Sequence, residues 1–120
     1  MTSRPVAPEP SAFTGEASDT LRLLGLLLLQ NGRPARAAVV FDALSGMNDD
    51  DQQLKLSHAC ALIRSGDPSG ALSVLEQVFP NPADPAVAWL LRGQALSLIG
   101  KPLEAARAMR MFIRHRQTDG

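Results

Sequence analysis

The sequence predicts an all-α fold made of three successive helix–turn–helix units, and three observations predict it. Gly32, Gly66 and Gly100 stand 34 residues apart. Each is followed two residues later by a proline (Pro34, Pro68, Pro102) and five residues later by an alanine (Ala37, Ala71, Ala105). An apolar register repeats around them: Phe41, Leu75 and Met109, then Leu44, Val78 and Phe112, with Leu28, Leu62 and Leu96 on the N-terminal side. A glycine just past a helix takes the left-handed conformation without a Cβ penalty. A proline two residues on pre-sets φ for the first turn of the next helix, where its missing N–H costs nothing. Gly25 and Ala59 on first helices, with Ala37 and Ala71 on second helices, let paired backbones approach closely. Leu28, Phe41 and Leu44 then fill the space beside them, small facing large.

Taken in order, residues 1–17 carry Pro5, Pro8 and Pro10 with little apolar content, and are expected to form a disordered tail. Ser18 or Asp19 can cap a first helix running to about Asn31, and Pro34 to Ser45 forms its partner. Gly46 to Asp51 is a polar connection whose three aspartates favour the N-terminus of the next helix. The second pair is expected at about 52–65 and 68–78. Pro80, Pro82 and Pro85 then rule out a continuous helix and mark the next junction. The third pair is expected at about 86–99 and 102–116, followed by a polar tail at 117–120. This period and its paired small residues resemble the tetratricopeptide repeat. The resemblance implies three repeats, at about 18–51, 52–85 and 86–116, wound into a short right-handed superhelix.

Charge and cysteine content narrow the function. Lys+Arg and Asp+Glu number 12 each, which argues against nucleic acid or an anionic membrane as the partner, since both draw on excess positive charge. Arg107, Arg110, Arg114, His115 and Arg116 cluster near the C-terminus, where cations suit the helix macrodipole and a solvated face. The single cysteine, Cys60, excludes an internal disulfide and fits a reducing compartment. Leu21 to Leu29 is strongly apolar but interrupted by Arg22, and falls far short of the roughly 20 residues that span a bilayer. No stable membrane insertion and no secretory signal is expected.

No enzyme chemistry is expected either. His58 and His115 lie apart in the register, and no metal-ligand spacing or phosphate-binding glycine loop accompanies them. Asp49, Asp50 and Asp51 lack the trailing glutamate of a calcium loop. Trp89 sits where the repeat family places a packing tryptophan, so it reads as core. No cofactor and no metal is implied.

Binding is the function that remains. The first helix is apolar nearly all round, and such a helix wants contacts on every side. The last helix carries Met109, Phe112 and Ile113, with nothing after it but polar residues. In tetratricopeptide proteins the first helices line a concave groove, and the family's groove positions map onto Asp19, Arg22, Leu26, Leu29 and Gln30. The second repeat contributes Gln53, Leu56, Cys60, Ile63 and Arg64, and the third Val87, Leu90, Gln94, Ser97 and Leu98. The partner-binding set is therefore Arg22, Leu26, Leu29, Leu56, Cys60, Ile63, Val87, Leu90, Gln94, Leu98, Met109, Phe112 and Ile113. Its largely apolar floor suits an apolar segment of another protein, and Leu56 is assigned to this groove rather than to the core. Some of these leucines could instead pack against the N-terminal tail. Without a partner the chain is expected to self-associate.

A narrower resemblance rests on three stretches. Leu23 through Gly32, Ala35-Arg36-Ala37 with Phe41-Asp42-Ala43-Leu44, and Trp89-Leu90 through Gly100 to Arg107 are similar to the small YscY/SctY-type chaperones of bacterial type III secretion. The likeness runs over about residues 20–116, with the middle repeat matching only at generic positions. It implies a non-enzymatic chaperone of the bacterial cytoplasm that shields a small exported X-type (YscX/SctX-like) protein as a heterodimer and delivers it to the export gate. Chaperones of needle or translocator subunits share the repeat, and a tetratricopeptide adaptor outside secretion is the remaining reading.

Overall fold

The computed structural model describes residues 10–46, 51–78 and 85–119. Among these are six α-helices and no strand: α1 (Pro10–Gln30), α2 (Pro34–Ser45), α3 (Gln52–Arg64), α4 (Pro68–Val78), α5 (Ala86–Leu98) and α6 (Pro102–Asp119). Each helix packs on its neighbours in sequence, and α3 also touches α1 and α5. The result is an elongated array in which each helix lies against the next. Its radius of gyration is 17.0 Å and its extents are 68 × 29 × 22 Å, against about 13–14 Å expected for a compact chain of this length.

The three turns share one hydrogen-bonding scheme. Gly32, Gly66 and Gly100 have φ of 73°, 89° and 82°. In each turn the residue after the glycine donates to the carbonyl five residues back: Arg33 to Leu28 at 2.8 Å, Asp67 to Leu62 at 2.8 Å, Lys101 to Leu96 at 2.9 Å. The glycine N–H itself donates to the carbonyl three residues back, at 3.1–3.3 Å. This is the Schellman closure of a helix C-terminus. Asp67 additionally caps α4, its carboxylate accepting from the Gly70 N–H at 2.9 Å.

Small-against-large packing holds the pairs together. A Cβ on Gly25 would lie 2.7 Å from the Phe41 ring, and one on Gly93 would lie 2.9 Å from Met109 Cε. Ala59 and Leu75 occupy the corresponding places in the middle pair and share a buried cluster. The core is divided by junction. Phe41, Leu44 and Leu54 lead the cluster among α1, α2 and α3; Leu56, Leu75 and Leu91 lead that among α3, α4 and α5. Leu96, Ala105 and Ala108 form a smaller one between α5 and α6, where the stack ends and Leu103 is left 76% exposed.

Several sequence expectations need correction. The expected tail includes residues 10–17, yet these belong to α1. Every early proline lies at or before Pro10, and Pro10 itself opens the helix, where a missing N–H is harmless. Ser18 and Asp19 therefore lie inside α1 rather than at its start, and Ser18 is buried. Residues 117–119 likewise extend α6. The remainder of the tail, most of the aspartate connection and Pro80 and Pro82 lie outside the described residues.

Candidate binding groove

The helix termini set the groove's framework. Asp51 caps α3 by accepting from the Leu54 N–H at 3.0 Å, and its carboxylate pairs with Arg22 of α1. The Arg22 hydrogen bond, more than any other influence, holds the Asp51 carboxyl below its ordinary value. Arg22 thus ties α1 to the start of α3 through a partly exposed ion pair.

Between α3, α5 and α6 opens a cavity of about 520 Å³ lined by Cys60, Ile63, Arg64, Gln94, Ser97, Leu98 and Met109. Five of these belong to the set expected from sequence, and Arg64 and Ser97 are the adjoining groove positions. Met109 reaches this floor from the far helix because Gly93 leaves room, its Sδ standing 3.1 Å from where a Cβ would be. Leu98 is 62% exposed. The groove therefore offers Ile63, Leu98 and Met109 as apolar surface, with the exposed Arg64, Gln94 and Ser97 as its polar partners.

A smaller cavity of about 200 Å³ among α1, α3 and α5 is lined by Leu29, Gln53, Leu56, Ser57, Cys60, Val87 and Leu91. Cys60 lines both spaces, so they adjoin along α3. Leu29 and Leu56, however, are only 9% and 8% exposed and belong to the two main core clusters. The assignment of Leu56 to the groove rather than to the core is wrong: α3 is sandwiched by helices on both sides, so its apolar residues are shared between neighbours. Leu91, not named from sequence, lines this cavity, while the half-buried Leu90 lines neither. Leu26 is exposed on α1 beside Leu23, Leu24 and Leu27. Phe112 lies half-buried on α6 with the Arg116 guanidinium 5.7 Å above its ring, and Ile113 is half exposed.

Sequence reasoning missed a second cavity, of about 420 Å³, where α5 meets α6. Trp89, expected in the core, is only half-buried and opens onto it. The Arg92 guanidinium stacks 4.4 Å from the indole centroid, and the His115 ring lies 6.2 Å away. Arg107, Arg110 and Arg114, all exposed, line the same space. Their spacing of three and four residues along one helix was the available signal.

His58 is buried between α2, α3 and α4, beside a cavity that Asp42 and Asp67 also line. Burial lowers its pKa, opposed by the charge of Asp42 and reinforced by that of Lys55. Among the described residues no group of three or more His, Cys, Asp or Glu side chains is arranged to hold a metal ion. No described helix is long and apolar enough to cross a membrane. No family model and no curated protein sequence matches the chain.

Proposed function

We propose that this chain is a non-enzymatic chaperone of the bacterial cytoplasm, built from three tetratricopeptide-type repeats in a short right-handed superhelix. It binds and shields a small exported X-type protein of a type III secretion system and helps deliver it to the export gate. The observation that carries this reading is the groove at Ile63, Leu98 and Met109: apolar side chains line an open space, Ile63 and Leu98 at positions where the repeat family takes its ligands and Met109 from the facing helix. An apolar client segment laid there would cover what the stack cannot. Left alone, the chain self-associates through the groove and through the exposed leucines of α1.

The test is co-expression with a small exported X-type protein, followed by co-purification. Leu98→Asp places a carboxylate where the client's apolar surface would be buried, at a cost of several kcal/mol if it finds no partner. It should abolish co-purification while far-UV circular dichroism stays that of the parent, because Leu98 is largely exposed. Retained co-purification with Leu98→Asp and with Ile63→Asp would overturn the groove assignment. Absence of any complex with the parent chain would overturn the choice of client.

A further inference from the structure

The chain as a whole is neutral, yet its cations are unevenly placed. Arg107, Arg110 and Arg114 share one face of α6, and Arg92 reaches the same cavity from α5, with Glu104 the only carboxylate in its lining. Neither Arg107 nor Arg110 has an ion-pair partner among the described residues. Trp89, Leu96, Ala108 and Met111 supply an apolar floor. An anionic group beside Arg107 and Arg110 and an apolar side chain on the floor would complement this space.

We propose that this cavity docks an acidic segment of a partner protein. Carboxylates of the segment engage Arg107 and Arg110 through their planar donor forks, which match carboxylate geometry. An apolar side chain between them rests on the Trp89–Met111 floor. A polyanion fits less well. The balanced net charge provides no long-range field, and the mixed floor offers a side chain more than it offers a phosphate backbone. This cavity shares no lining residue with the α3–α5 groove, so the inference stands independently of the chaperone reading.

Trp89 is the only tryptophan, so its emission reports on this cavity directly. The probe is a short synthetic peptide alternating glutamate and leucine, titrated against the intact chain. A saturable change in emission is expected, absent with the matching lysine–leucine peptide. The double variant Arg107→Glu, Arg110→Glu should weaken binding by about tenfold or more. Both residues are exposed, and circular dichroism checks the fold; Arg110→Gln is a milder variant with the same expected direction. Arg36→Glu with Lys101→Glu changes the net charge equally at exposed sites outside the cavity, and should leave binding near the parent value. An unchanged emission would overturn the proposal, as would equal weakening by the two double variants. So would binding of phosphatidylglycerol vesicles or a thymidine oligonucleotide as tight as that of the peptide.

Discussion

Replacing Gly25 by alanine removes a glycine from the middle of a helix, a change that in isolation favours the helix by about 1 kcal/mol. In this fold it should destabilise. The new Cβ would lie 2.7 Å from Phe41 Cε1, 2.8 Å from Cζ and 3.2 Å from Cδ1, whereas carbon atoms pack best at about 3.5–4 Å. Phe41 is fully buried, so its rigid ring has no free space to retreat into. Overpacking of this kind costs about 1–3 kcal/mol. With the overlap falling on a rigid ring, the upper part of that range applies, and about 1–2 kcal/mol remains after the propensity gain. Gly93→Ala is the internal comparison. Its nearest contacts are Met109 Cε at 2.9 Å and Sδ at 3.1 Å, the end of a flexible thioether that can swing aside. That variant should lie within about 0.5 kcal/mol of the parent, the clash and the propensity gain nearly cancelling. Urea titrations followed by circular dichroism give both values. Shortening the ring in Phe41→Leu should relieve Gly25→Ala, with a coupling of about 0.5–3 kcal/mol in a double-mutant cycle. A Gly25→Ala protein as stable as the parent, or strictly additive with Phe41→Leu, would refute the packing argument.

Gly66→Ala meets no atom within 4 Å but must adopt a φ of 89°, so strain alone should cost about 1 kcal/mol in the same titration. Asp51→Ala removes a helix cap together with the Arg22 pair and should cost about 1–2 kcal/mol; at acid pH its effect should fade. The depressed Asp51 carboxyl contributes stability above its ordinary value of 3.8 and loses it as pH falls through the lower folded value. His58 acts in a higher window. Its folded pKa lies below the ordinary 6.5, so stability is full above 6.5 and erodes as pH falls below it, where the unfolded chain takes up the proton first. Urea midpoints measured between about pH 7 and pH 5 should therefore fall less steeply in His58→Leu than in the parent. Leu56→Asp should unfold the chain outright, seen as lost helicity, because it places a carboxylate in the central cluster.

The turns were legible in the sequence because their determinants are local. A glycine at positive φ and a proline at the first helical position act within a few residues, and the bounds of α2 and α4 followed from them. The start of α1 was not legible. Three prolines suggested a tail, but their effect ends at Pro10, and the seven residues after it contain none. The groove was partly legible. Leu56 occupies the same repeat position as Arg22 and Leu90, yet one residue is buried, one is ion-paired and one is half-buried. A repeat position fixes direction from the helix axis, whereas burial depends on whether another pair stacks on that side. Cys60 and Gln94, Ile63 and Ser97 line one open space because no described helix covers their side of α3 and α5. The arginine cavity required knowing that Trp89 and Arg92 of α5 meet α6. Helical spacing shows Arg107, Arg110 and Arg114 on one face but says nothing of what that face meets.

Cys60 lines both adjoining cavities on the α3 side and is the only cysteine, unbonded and half-buried. Its alkylation rate by a small maleimide, with and without a saturating X-type client, tests the proposed groove directly. If the client occupies the groove, a concentration of about ten times its Kd should slow alkylation by about tenfold, and Leu98→Asp should abolish the protection. A client that binds the chain and leaves the Cys60 rate unchanged would contradict the account.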